Sequence, residues 1–316
     1  MSLFLGLDTS NYTTSCALID TDSMEVRSVK RLLPVKEGEK GLRQSDAVFH
    51  HTRQLPELME QLFENISRPD ISAVGYSYAP REVSGSYMPC FLVGENTARS
   101  ISAALGVPVY KTSHQKGHIL AALYSCGKTG LLKGSSPFLA FHVSGGTTDL
   151  LYCEPDSERV LKVTEIGHSL DLKAGQCVDR TGVRLGLKFP CGVQLEELAK
   201  NSSREFKIKP SLKGLDCSLS GVENKCVKML DEGESREDTA RFCFEYIYET
   251  VRAMTRGALE KYGSMPVVFA GGVMSNKLMR QRLEKEFDGC FAEPELSSDN
   301  GVGTAFYAAL MKGMVK

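Results

Sequence analysis

The segment from Phe4 to Leu18 (FLGLDTSNYTTSCAL) aligns without gaps onto the segment from Phe138 to Tyr152 (FLAFHVSGGTTDLLY). Phe, Leu, Ser, Thr and Thr coincide at an offset of 134 residues, close to half of the 316-residue chain. Each copy reads as an apolar strand, a loop of small polar residues and a second apolar strand. Two copies of one hairpin at half-length predict a duplicated, two-lobed fold. The competing reading is chance likeness between two hairpins of small polar residues.

Around these hairpins, short apolar strands at 73–78 and 267–270 alternate with amphipathic helical stretches near 92–105, 114–125, 194–201, 237–262 and 276–287. Such alternation is the pattern of an α/β fold. No Pro/Ser-rich linker separates the halves, so the lobes are expected to pack about a central cleft, with 1–112 plus 297–316 as an N-terminal lobe and 113–296 as a C-terminal one. No apolar run approaches the roughly 18 to 20 residues that span a bilayer. The cysteines form no C-x-x-C pair and the N-terminus meets a polar residue too soon for a secretory signal, which points to a cytoplasmic protein without a membrane partner. The formal charge of -1 gives no bulk sign of a nucleic-acid binder, so any polyanion must be met by a local patch.

Three stretches carry candidate chemistry. The loop Val143-Ser144-Gly145-Gly146-Thr147-Thr148-Asp149 lies between two strands, where successive N–H groups could face a phosphate or carboxylate. An ordinary Gly-Gly hairpin turn reads the same way. The loop Ala270-Gly271-Gly272-Val273-Met274-Ser275-Asn276 ends a strand and opens a helix, a platform for a nucleotide or simply an Asn cap. His114-Gln115-Lys116-Gly117-His118 places two imidazoles four residues apart, on one face if the segment is helical. Chance gives such a pair in roughly 0.1 of chains with this histidine content, so metal ligation is the favoured reading. A zinc protease would need Glu where Gln115 stands, so proteolysis is a poor reading. A third ligand is not local; Asp299, before an apolar C-terminal helix, could be one or merely its cap. Gly127-Lys128-Thr129 fails as a P-loop because the earlier glycine is Ala122, and no G-x-G-x-x-G follows the first strand.

Asp8-Thr9-Ser10, His114-x-x-x-His118, Val143-Ser144-Gly145-Gly146, Gly175-Gln176-Cys177-Val178-Asp179, Phe189-Pro190-Cys191-Gly192, Ser218-Leu219-Ser220-Gly221, Gly271-Gly272-Val273 with Asn276, and Ser298-Asp299-Asn300 occur in the order of one family. The chain resembles the tRNA threonylcarbamoyladenosine synthase family, long labelled O-sialoglycoprotein endopeptidases, from Leu3 to about Leu310. That resemblance implies an actin/sugar-kinase/Hsp70-like fold. It implies His114, His118 and Asp299 as ligands of one divalent metal ion, iron or zinc. It also implies His142, Val143, Ser144, Gly145, Gly146, Asp179, Gly192 and Asn276 as contacts of threonylcarbamoyl-AMP or another adenine nucleotide, and Asp8 as a catalytic acidic residue. The implied reaction moves threonylcarbamoyl from its AMP anhydride to the exocyclic amine of the tRNA adenosine beside the anticodon, with a smaller paralogue and an ATPase as partner proteins.

Several positions depart from the family pattern. Tyr12-Thr13-Thr14 replaces an acidic pair, and Ala79 to Tyr87 replaces a short Arg-Gly-Pro-Gly loop. Thr147 stands for His, His142 for an apolar residue, Gln176 for Glu and Cys191 for Gly. These changes predict a divergent paralogue whose acceptor differs, or neutral drift. Arg180, Arg184, Lys188, Arg204, Lys207, Lys209 and Lys213 form a locally basic region that reads as a tRNA phosphate track or as ordinary solvated surface. Two alternatives stand beside the leading one: carbamoyl or acyl transfer to a small molecule on the same scaffold, and a non-catalytic nucleotide-binding partner in a tRNA-modification complex.

Overall fold

The computed structural model describes residues 2–10, 12–34, 42–66, 69–297 and 301–313. Along the chain these form β1 (Leu3–Asp8), β2 (Thr13–Asp20), β3 (Val26–Leu32), α1 (Gln44–Phe63), β4 (Ile71–Ala79), α2 (Phe91–Leu105), β5 (Val109–Ser113) and α3 (His114–Ser125). There follow β6 (Phe138–Val143), β7 (Thr148–Asp156), β8 (Val160–His168), α4 (Ala174–Arg184), α5 (Gly192–Lys200), β9 (Ser211–Lys213), β10 (Asp216–Ser218), α6 (Ser220–Asp231) and α7 (Arg236–Tyr262). The chain closes with β11 (Val267–Ala270), α8 (Lys277–Phe287), β12 (Cys290–Phe291), α9 (Pro294–Ser297) and α10 (Val302–Met311).

The two matched segments fold as the same hairpin in the same register. Phe4 pairs with Ile19 and Asp8 with Ser15; Phe138 pairs with Cys153 and His142 with Asp149, each offset by the 134 residues of the sequence repeat. The duplication extends to both sheets, ordered β3-β2-β1-β4-β5 and β8-β7-β6-β11-β12. In each, an antiparallel hairpin is continued by two parallel strands. Strands β1 and β6 are buried along their whole length, which is why they read as nearly continuous apolar runs rather than alternating ones; β2 is equally buried but also carries Thr13, Thr14, Ser15 and Asp20. All five anticipated helices form, as does the apolar C-terminal helix, α10, and α1, α4, α6 and the short α9 add to them.

The chain divides into a first unit of Met1–Ser135, Pro155–Lys162 and Glu295–Lys316 and a second of Ser136–Glu154 and Val163–Pro294. The expected boundary at 112/113 is therefore displaced to 135/136. The physical reason is α3, which is buried from Gln115 through Leu123 and packs on α10. A Cβ at Gly303 would stand 1.9 Å from the Gly117 carbonyl oxygen, so the two helices touch backbone to backbone where only glycine fits. α10, nearly all buried, also rests on β1 and β4, and burial of Phe306 alone contributes about 2 kcal/mol. The core of the second unit gathers apolar residues of β6, β11, α4, α5, α6, α7 and α8. Among the described residues, no helix is long and apolar enough to cross a membrane.

Candidate functional site

In the first unit, β5 runs straight into α3. Ser113 keeps an extended backbone and its Oγ accepts the Lys116 N–H at 3.2 Å, an N-cap that starts the helix at His114. His114 and His118 then share one face, with ring centroids 4.5 Å apart at 84° and Nε2 atoms 3.1 Å apart. Two imidazoles bound to one ion at about 2.0–2.1 Å, with 90–109° between them, would hold their nitrogens roughly 2.9–3.4 Å apart, so this pair fits a metal ion. Asp299, the third expected ligand, lies outside the described residues.

Asp8 ends β1 and is 2% exposed. Its Oδ2 lies 2.8 Å from His114 Nδ1, while its Oδ1 accepts the Ser77 hydroxyl at 2.5 Å and the Ser10 N–H at 3.2 Å. A carboxylate has no proton to give, so it selects the Nδ1–H form of His114 and leaves the Nε2 lone pair outward. Ser77, buried on β4, had no sequence signal, because a lone serine in a strand is unremarkable.

Lys116 is the other residue that sequence reasoning missed. It sits between the two histidines on α3, 1% exposed, with Nζ 2.8 Å from Glu82, 3.3 Å from the Arg159 carbonyl oxygen and 5.5 Å from the Tyr307 ring centroid. Burial foremost, then the charge of Glu82, pushes the Tyr307 hydroxyl up to about 12. The available signal was a lysine set between the two histidines, directly before the apolar run Ile119 to Leu123.

The second unit gathers the glycine motifs. Ser144 N–H donates to the Thr147 carbonyl, and the Gly146 and Thr147 N–H groups donate to Ser144 Oγ. Three of the amides expected to face an anion are thus engaged within the hairpin loop. Two other motifs close on that loop. A Cβ at Gly175 would stand 2.6 Å from Gly145 N, and one at Gly271, whose φ is +97°, would stand 2.3 Å from the Val143 carbonyl oxygen. Asn276 caps α8 by accepting the Met279 N–H at 3.1 Å, while its buried Nδ2 has no hydrogen-bond partner among the described residues. Such an orphaned donor is the kind of atom a ligand acceptor would satisfy.

Asp179 lies one turn after Gly175 on α4 and accepts the Cys191 N–H at 2.8 Å, which ties it to the start of α5 at Gly192. Burial holds the Asp179 carboxyl above its usual range, and that hydrogen bond only partly offsets the shift. Burial, then the charge of Asp179, pushes the Cys191 thiol up to about 11. His142 is buried on β6 with its ring nitrogens 3.4–3.5 Å from Thr147 Oγ1.

The basic region is partly neutralised. Arg180 pairs with Glu223 at 2.9 Å, and Arg204 pairs with Glu234 and with Asp238. Arg184, Lys188, Lys207, Lys209 and Lys213 are exposed.

A family model described as tRNA N6-adenosine threonylcarbamoyltransferase matches residues 35–306. The tRNA N6-adenosine threonylcarbamoyltransferase of Aromatoleum aromaticum is 32% identical over 97% of this chain and 90% of that protein. The protein of the same description from Archaeoglobus fulgidus is 28% identical, again over 97% of this chain and 90% of its own. Among solved structures, component A of the Acidaminococcus fermentans (R)-2-hydroxyglutaryl-CoA dehydratase covers all of both chains with a TM-score of 0.57 at 16% identity. That likeness carries the fold, the duplicated α/β architecture of the actin/sugar-kinase/Hsp70 type.

Proposed function

The chain belongs to the tRNA N6-adenosine threonylcarbamoyltransferase family of acyltransferase-type enzymes, and from that premise we propose that it moves a threonylcarbamoyl group from threonylcarbamoyl-AMP to the exocyclic amine of a tRNA adenosine. The observation that carries this reading is the ordered pair His114 and His118 with Asp8 behind it. His114 and His118 would hold a divalent metal ion, iron or zinc, which when bound would supply a Lewis acid for the carbamoyl oxygen or an anchor for the threonyl carboxylate and hydroxyl.

A mixed anhydride is already activated, so the protein's tasks are to hold the adenylate, orient a weakly nucleophilic amine and exclude water. Bond formation between amine nitrogen and carbamoyl carbon is balanced by departure of AMP, and the amine proton leaves to a base or to water. Asp8 has both oxygens engaged by Ser10, Ser77 and His114, which supports a role in setting the His114 tautomer rather than one as a free base. In the second unit, the backbone-packed loops at 143–146 and 271–272 and the Asn276 amide would hold the adenylate, with Asp179 and Gly192 beside them.

A second reading, transfer to a small-molecule acceptor on the same scaffold, is favoured by the pairing of Arg180 and Arg204 with acidic residues. Metal analysis of the purified chain, followed by assay of labelled threonylcarbamoyl-adenylate with and without tRNA, separates the two. A second arm adds the smaller paralogue and the ATPase. Label on tRNA supports the leading reading, and label on another acceptor supports the second. Adenylate left intact in both arms would point to a non-catalytic, nucleotide-binding partner. The double variant His114→Ala/His118→Ala is expected to lose metal and transfer together; undiminished transfer by metal-free protein sinks the assignment.

A further inference from the structure

The loop that follows β4 is tied to the first turn of α3 at both of its ends. At its start, the Pro80 carbonyl accepts the Gln115 N–H at 3.0 Å. At its end, the Phe91 ring meets His114 edge-on, with centroids 6.4 Å apart. Between these anchors, Arg81 N–H donates to Ser86 Oγ and Tyr87 N–H donates to the Gly85 carbonyl, so the loop is folded on itself rather than extended. Its tip shows solvent two apolar side chains, Val83 at 63% and Tyr87 at 61% exposure.

One backbone hydrogen bond and one ring contact at the two ends do not fix the middle of such a loop. The middle is held by the ion pair between Glu82 and Lys116, 2.8 Å apart. The two partners are unequal: the Glu82 side chain is 29% exposed, whereas Lys116 is 1% exposed. A buried ammonium is costly to leave without a counter-charge; among the described residues Glu82 is the carboxylate in direct contact with Lys116, which also meets the Arg159 carbonyl oxygen and the face of Tyr307 and feels the Asp156 charge from farther away. Glu82 is therefore the loop's tether, and Lys116 is the post to which it is tied. The post stands on the helix turn that carries both imidazoles, so loop position and imidazole position are set by one element.

We infer that Lys116 is a positioning residue for the acceptor: through Glu82 it holds the loop at 80–87 beside His114, where the exposed Tyr87 and Val83 meet an unstacked base of the incoming RNA. This inference rests on the proposed tRNA acceptor. An aromatic ring on a fixed loop is a stacking platform for a base in a single-stranded loop, and its usefulness falls once the loop is free to move.

The test uses the full chain carrying Glu82→Gln, Lys116→Met, and separately Tyr87→Ala and Tyr87→Phe. Hydrogen exchange of backbone amides in 81–87 reads the tether, metal content reads the imidazoles, and KM for tRNA against KM for threonylcarbamoyl-adenylate reads the acceptor. Glu82→Gln is expected to speed exchange in 81–87 about tenfold and to raise KM for tRNA several-fold, with metal content and KM for the adenylate unchanged. Tyr87→Ala should raise KM for tRNA with exchange unchanged, and Tyr87→Phe should restore it. Unchanged exchange in both Glu82→Gln and Lys116→Met overturns the tether, and freed exchange with unchanged KM for tRNA overturns the acceptor role. Should Lys116→Met fail to fold, Glu82→Gln, changed at a more exposed position, decides alone. A wild-type chain that modifies no tRNA, with or without partner proteins, overturns the function reading and the acceptor role with it; the exchange measurement still decides the tether.

Discussion

His114 Nδ1 lies 2.8 Å from Asp8 Oδ2, a contact made across 106 residues of chain. It joins the end of the first strand to the first residue of the buried helix, and Ser77 holds the other carboxylate oxygen. An acidic residue at a strand end is thereby turned into the support of an imidazole.

Asp8→Asn keeps the size of that support and removes its charge, so the preference for one His114 tautomer weakens. Metal affinity, measured by competition with a chelator, is expected to fall about tenfold to a hundredfold, as for other partners behind a ligating histidine. Both histidines remain in place, and an unchanged affinity would show that Asp8 does not act through His114.

Gly271→Ala would place a methyl 2.3 Å from the Val143 carbonyl oxygen at a φ of +97°, and Gly175→Ala would place one 2.6 Å from backbone atoms of Gly145. Neither neighbour is a flexible side chain that can swing aside. Each variant is expected to lose about 1–3 kcal/mol in thermal or denaturant unfolding, and adenylate affinity should fall with it. A variant as stable as wild type would mean that these loops do not pack as tightly as their backbones indicate.

Burial raises the Asp179 carboxyl, so the folded protein holds this proton more tightly than the unfolded chain does. The linked stability is fully present below the ordinary value of 3.8 and is lost as pH rises through the raised folded value. Asp179→Asn, which can still accept the Cys191 N–H, should flatten that part of the stability–pH curve and leave the protein at least as stable at neutral pH. A curve with the wild-type slope in this window would assign the titration elsewhere.

If tRNA is the acceptor, its phosphates should be met by exposed lysines rather than by arginines already paired with acids. Replacing Lys207, Lys209 and Lys213 by Ala should lower the salt slope of log affinity by roughly 0.7–0.9 for each phosphate that a lysine no longer neutralises. Arg180→Ala should change it little, because Glu223 already neutralises that guanidinium. A slope unmoved by the lysine changes would place the phosphate-binding groups elsewhere or on a partner protein.

Much of the scaffold was legible in the residue order alone. The repeat at 4–18 and 138–152 announced two hairpins, and their registers coincide pair by pair at the same offset. The His114–His118 spacing announced a shared helical face, and Asn276 announced a helix start. The lobe boundary was misplaced, because nothing within 113–135 says that α3 will pack on a helix almost two hundred residues later. The 143–149 loop read equally as an anion-facing set of amides and as an ordinary hairpin turn, and only the structure shows the side chain of Ser144 accepting from two of those amides.

The sequence by itself determined the two hairpins, the strands at 73–78 and 267–270, the helices it anticipated and the duplication, because apolar periodicity, turn residues and caps act between neighbours along the chain. Only the tertiary structure decided that Asp8 serves His114, that Ser77 serves Asp8 and that Glu82 ties a loop to Lys116. Those pairings depend on which buried polar group finds which partner once the apolar surfaces have packed. Their strength comes from being taken out of water together, a condition that no local pattern of residues records.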